Sequence, residues 1–131
     1  MREVKFRGIS KKTGKFVFGW LQDNFINISE SNEFEWWGEE IIKGTEGQYT
    51  GLKDLNGKEI YEGDIIEGKP IISLNNTKLR GVVIFSDYGY KVRVYFDDGE
   101  YEDEYLPEIL KDVRHEAEVI GNIHENPDLI Q

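Results

Sequence analysis

The sequence predicts a mostly-β fold, a small SH3-like or Tudor-like barrel elaborated with extra strands and one or two short helical turns. Three observations predict it. Short apolar segments with period-2 alternation recur at close spacing, and Gly, Asn and Asp turn signals separate them. Helical spacing is confined to a brief stretch, Leu106, Ile109, Leu110 and Val113 at i, i+3, i+4 and i+7. The run GVVIFSD followed by YKVRVYFDDGEYEDEYLPEIL reads as strand, hairpin, strand and one helical turn, the layout of those barrels. That analogy concerns fold and licenses no function.

The composition supports one core. A chain of 131 residues buries about two-thirds of the surface its unfolded form exposes. Apolar residues make up 38%, aromatics 13% and charged residues 32%, a globular balance. A single domain spanning residues 1–131 is expected, with an irregular excursion at about 22–45. Cysteine is absent, which excludes disulfides and thiolate metal sites and fits a reducing compartment. No apolar segment approaches the roughly 20 residues of a membrane helix, and the first twenty residues lack a signal-peptide core. A soluble protein of a reducing cytosol, not exported and with no membrane partner, is the expectation.

Charge is uneven. The net is −10, yet residues 1–20 carry six basic side chains against Glu3 alone, a local +5. An acidic surface repels phosphate, so nucleic acid is disfavoured unless Lys5, Arg7, Lys11, Lys12 and Lys15 gather into one patch. The alternative is that this basic hairpin pairs with acidic strands.

Residues 4–9, VKFRGI, alternate Val4 and Phe6 with Lys5 and Arg7, and residues 15–20, KFVFGW, mirror them. KKTG between them is a turn in which Gly14 takes positive φ. Within the excursion, adjacent Trp36 and Trp37 on an extended strand point to opposite faces, so one of them is covered by a loop or exposed as an anchor for a partner. Residues 71–74 give a short apolar piece before the strand LRGVVIFSD. Residues 90–96 then form the clearest strand, with Tyr90, Val92, Val94 and Phe96 on one face. Asp98-Gly99 as a two-residue turn puts Phe96 opposite Tyr101, Val92 opposite Tyr105 and Arg93 opposite Glu104. It also sets Asp103 beside Val94, which calls for a bulge near Asp103. Pro107 opens a helical turn, AEVIGNIH is the last strand, and Asn126-Pro127-Asp128 leads into a brief C-terminal helix returning Leu129 and Ile130 to the core.

The densest stretch is residues 46–69, EGQYTGLKDLNGKEIYEGDIIEGK. Asn56-Gly57 reads as a hairpin turn, and Tyr49, Leu52, Leu55, Ile60 and Tyr61 are expected to pin the stretch to the barrel. The segment QYTGLKDLNGKEIYEGDII, with MREVKFR at residues 1–7 and EVIGNIHENPDL at residues 118–129, closely resembles the YopX family of phage and prophage proteins. The resemblance implies a β-rich domain encoded by a phage or integrated prophage and acting in the cytoplasm of the bacterial host cell. That family carries no established activity, so it implies no site residue.

Chemistry is sparse. Gly51 to Gly57 has one residue too many for a phosphate loop, and Glu59 follows Lys58 where a hydroxyl is needed. His115 and His124 lack the spacing of a zinc site, and no serine sits in a recognisable nucleophile arrangement. Asp54 with Glu67-Gly68-Lys69 loosely imitates a magnesium nuclease, but Gly68 and Pro70 end the strand that such a site requires. Asp97 to Glu104 holds six carboxylates in eight positions without calcium-loop spacing, and reads as a solvated hairpin or a mimic of nucleic acid. No catalytic residue, metal ligand or cofactor is assigned. The expectation is a non-enzymatic accessory protein that contacts a host or phage protein, with homo-oligomerisation left open. Its interaction surface would use Trp36, Trp37, Asp97, Asp98, Glu100, Glu102 and Glu104. The alternative is a nucleic-acid-binding or metal-dependent nucleic-acid-processing protein using the five N-terminal cations.

Overall fold

The computed structural model describes residues 5–27, 38–68, 78–96, 98–111 and 116–130. They fall into two compact units, Met1–Gly51 and Leu52–Gln131. The expected mostly-β class holds, as two antiparallel sheets and one α-helix; the strands do not close into a barrel among the described residues.

The first unit contains β1 (Phe6–Ile9), β2 (Phe16–Gln22), β3 (Phe25–Asn27), β4 (Glu39–Glu40) and the first half of β5 (Gly47–Lys53), in the spatial order β4-β3-β2-β1-β5. The KKTG turn forms as its chemistry requires. Ser10 N–H donates to the Lys15 carbonyl at 2.9 Å, Gly14 N–H to the Ser10 carbonyl at 2.9 Å, and Gly14 has φ +71°. Ile26 and Ile41 are fully buried. The stretch 22–45 is thus not irregular throughout, since β3, β4 and the Ser10–Ile41 bridge lie in it. Trp36 and Trp37 lie outside the described residues.

In the second unit, β5 turns back into β6 (Glu59–Tyr61), followed by β7 (Asp64–Gly68), β8 (Leu79–Ser86), β9 (Gly89–Tyr95), β10 (Tyr101–Tyr105), α1 (Leu106–Lys111), β11 (Glu118–Asn122) and a 3-10 helix at Pro127–Ile130. The sheet runs β10-β9-β8-β7-β11. One core covers its inner face: Ile60, Ile66, Val83, Tyr90 and Val92 from strands, Leu106 and Ile109 from α1, and Ala117. Pro107 sits in the first turn of α1, where a missing amide hydrogen costs nothing. The expected C-terminal helix is present, with Leu129 and Ile130 half-buried. Residues 71–74 lie outside the described part.

Candidate functional site

The site worth building from its residues is the β9–β10 hairpin, and its turn decides everything that follows. Phe96 N–H donates to the Glu100 carbonyl at 2.9 Å, Gly99 N–H donates to the Phe96 carbonyl at 3.0 Å, and Gly99 has φ +86°. This is a three-residue loop ending in a left-handed glycine, not the two-residue turn expected from Asp98-Gly99. The extra residue shifts the register by one. Tyr101 lies opposite Tyr95, Glu102 opposite Val94, Asp103 opposite Arg93, Glu104 opposite Val92 and Tyr105 opposite Lys91. The expected pairings of Phe96 with Tyr101, Val92 with Tyr105 and Arg93 with Glu104 are therefore corrected, and no bulge interrupts this ladder near Asp103.

The new register gives the hairpin two different faces. Arg93 grips Asp103 with two bonds, Nε to Oδ1 and Nη2 to Oδ2, each 2.9 Å. Such a fork is planar and directional, so it fixes both side chains. The hydrogen bonds from Arg93 hold the Asp103 carboxyl below its ordinary range, against a smaller opposing effect of burial, and the same pair raises the guanidinium. Arg93 also lies 4.0 Å from the Tyr101 ring centroid, Lys91 lies 5.1 Å from that of Tyr105, and the Tyr95 and Tyr101 rings are 6.1 Å apart. Tyr95, Tyr101 and Tyr105 stay about half exposed, at 50%, 51% and 52%. Three tyrosines and an arginine are thus displayed on one face of the β9–β10 ladder.

The opposite face joins Glu102 and Glu104 to apolar walls. A narrow cleft of about 60 Å³ is lined by these two carboxylates with Val92, Val94, Phe96, Leu79 and Ile109 among its walls. Neither glutamate has a hydrogen-bond or ion-pair partner among the described residues. Asp98 and Glu100 are exposed in the turn, where the Asp98 carboxylate accepts the Glu100 N–H at 3.0 Å; Asp97 lies outside the described residues. The expected acidic surface is therefore split between a turn, a carboxylate locked to Arg93 and two carboxylates over a cleft.

The five N-terminal cations are not brought to one open surface. Arg7 is 6% exposed with its guanidinium 4.4 Å from the Phe16 ring centroid. Lys5 lies over Tyr49 at 5.3 Å, and Lys11 bonds Glu40 at 3.0 Å. Lys12 and Lys15 are exposed in the β1–β2 turn, next to a strand that carries exposed Phe18 and Trp20.

The central stretch turns its polar groups inward to the backbone. Asp54 repeats the hairpin geometry, with its N–H donating to the Lys58 carbonyl at 2.8 Å and Gly57 N–H donating to the Asp54 carbonyl at 3.0 Å. Its carboxylate accepts the amides of Asn56 and Lys58 through Oδ1 and of Val119 through Oδ2, each at 2.9 Å. Asp64 accepts the Tyr61 N–H at 2.7 Å, and Gly63, at φ +93°, links the Val83 carbonyl to the Ile123 N–H. Asn122 caps the last turn by accepting the amides of His124 and Glu125. Tyr49, Ile60 and Tyr61 are buried as expected, whereas Leu55 is exposed. Glu67, the second acid of the nuclease-like pattern, bonds Arg80 at 2.7 Å, and Lys69 lies outside the described residues. No group of three metal-ligating side chains occurs among the described residues.

Sequence reasoning does not offer Tyr101 and Tyr105 as surface residues, because a two-residue turn sets them opposite Phe96 and Val92, whereas the longer loop sets them opposite Tyr95 and Lys91. Their spacing, Tyr-x-x-x-Tyr on a strand after a DG turn, is the signal that placed them on one face.

The comparisons with known proteins agree with this architecture. No curated protein matches the chain. The crystal structure of protein EF1440 from Enterococcus faecalis is similar over 100% of both chains, with a TM-score of 0.57 and 24% sequence identity, a likeness of fold alone. The family model described as YopX protein matches residues 5–131. This span takes in all three resembling segments but the first four residues, and the chain belongs to the YopX family.

Proposed function

We propose that this chain is a non-enzymatic protein-interaction module, an accessory protein of a phage or prophage that works in the host cytoplasm by binding a host or phage protein. One observation supports it above the others. Tyr95, Tyr101 and Tyr105 are half exposed around an Arg93 already immobilised by Asp103. Tyr and Arg supply a disproportionate share of binding energy at interfaces, and side chains held in place beforehand lose little entropy when a partner arrives. Replacing Tyr101 and Tyr105 by Ser is expected to weaken a captured protein partner by about tenfold or more, whether or not the lysate has been treated with nuclease. Unchanged capture by that variant would remove the reading.

A nucleic-acid reading is supported by the exposed Lys12 and Lys15 in the turn that leads into β2, the strand that carries exposed Phe18 and Trp20, since cations and stacking surfaces then share one hairpin. It predicts capture that nuclease abolishes and that Lys12→Glu with Lys15→Glu weakens.

A further inference from the structure

We infer that β10 is a docking edge for an extended basic segment of a partner protein, which adds to the sheet as a further antiparallel or parallel strand. This deepens the interaction-module reading and rests on it. Three features of β10 converge. Among the described residues it ends the sheet and pairs with β9 alone. The Phe96–Glu100 closing pair fixes the alternation of the ladder, so Glu102 and Glu104 direct their backbone groups to β9 while Tyr101 and Asp103 direct theirs outward. Among the described residues the edge therefore offers unpaired donors and acceptors of the kind that strand addition uses.

Side chains say which strand fits. A residue opposite Glu102 or Glu104 on an added strand shares their face, over the cleft with Val92, Val94 and Phe96. Those carboxylates have no partner among the described residues, and the walls beside them are aliphatic. Lysine matches both, laying its methylene stem along the apolar wall and its ammonium at the carboxylates. Alternate residues fall beside Tyr101 and Tyr105 on the other face, where Asp103 is already satisfied by Arg93, so apolar side chains suit them. The segment thus reads as alternating basic and apolar residues.

A second copy of this chain is the poorer occupant. Pairing β10 with β10 brings Glu102 and Glu104 of one copy against the same carboxylates of the other, and like charges across strands repel. Charges on edge strands also guard against unwanted pairing. That role leaves unexplained why one face of β10 carries tyrosines and the other a cleft.

The test uses the whole protein, labelled with nitrogen-15, and a blocked eight-residue peptide of alternating Lys and Val at low ionic strength. The expected result is saturable binding that slows hydrogen exchange at the Tyr101 and Asp103 amides. Glu102→Gln with Glu104→Gln, both exposed, should weaken it by about fivefold. Charge reversal, Glu102→Lys with Glu104→Lys, should move the preference to the corresponding Glu and Val peptide. The proposal is overturned by equal binding of the Lys and Glu peptides to the native protein, by retained affinity after alternate N-methylation of the peptide, or by binding that leaves those two amides exchanging freely. If the peptide fails while Tyr101→Ser with Tyr105→Ser still releases a captured protein, the edge proposal falls and the interaction module stands. If that variant releases nothing, the module falls with it.

Discussion

Two hairpins of this molecule each set an arginine over an aromatic ring, to opposite ends. In β1–β2, Arg7 stands over the Phe16 ring at 4.4 Å and is 6% exposed, so the contact serves packing. In β9–β10, Arg93 stands over Tyr101 at 4.0 Å, clamped by Asp103, and the rings around it remain half exposed. Alternation alone would have put both arginines on open faces. The comparison teaches that a cation beside an aromatic ring becomes structure or surface according to what covers the ring. Charge in the sequence does not distinguish the two.

The sharpest break in the comparison comes from glycine. In β2, a Cβ on Gly19 would lie 2.1 Å from the Asn27 carbonyl oxygen, a backbone atom held by the β2–β3 ladder. Gly19→Ala is therefore expected to cost about 3 kcal/mol, read as a fall in the urea midpoint with loss of order in the first unit. Gly99→Ala, in the turn of the other hairpin, meets nothing within 4 Å and pays only for its positive φ. That cost is about 1 kcal/mol. Equal effects would show that the first hairpin is no more tightly built than the second.

Next in size is the arginine exchange. Arg7→Ala removes a buried stem and its ring contact, and is expected to destabilise by about 2 kcal/mol. Arg93→Ala should shift the melting temperature less but abolish the ordered tyrosine face, visible as sharpened, averaged ring resonances of Tyr95 and Tyr101. A larger melting shift for Arg93→Ala would reverse the assignment of roles.

The smallest effect concerns pH. Because Arg93 holds the Asp103 carboxyl below its ordinary value, that pair contributes stability above the unfolded pKa, and the contribution is lost as pH falls through the depressed folded value. The native protein should therefore be slightly more stable than Asp103→Asn at neutral pH, with the difference fading below about pH 4. Urea unfolding at a series of pH values measures it. A difference that grows on acidification would contradict the sign.

How much was legible beforehand follows from where each feature is encoded. The two DG and NG signals correctly mark hairpins, but both close as three-residue loops, with Gly57 and Gly99 at φ +80° and +86°. A two-residue and a three-residue loop differ by one torsional choice, yet that choice moves every cross-strand partner by one position. Hence Asp103 meets Arg93, where the shorter turn would have left it beside Val94. Arg7 fails for another reason. Period 2 says which residues share a face and leaves open which face is buried, and the face carrying Arg7, Phe16 and Phe18 is covered at Arg7 and open at Phe18.

By itself, then, the sequence determined the strand-rich class, the turn positions, the helix opened by Pro107 and the family, because alternation, glycine and proline act within a few residues of themselves. It also showed that Asn56 and Gly57 belong to a turn. Only the tertiary structure decided that the Asp54 carboxylate reaches Val119, 65 residues away, that the described strands form two antiparallel sheets and not the expected closed barrel, and that the acidic run divides into a tyrosine face and a glutamate cleft. Those outcomes depend on which segments meet across long stretches of chain, and no local period or turn signal carries that information.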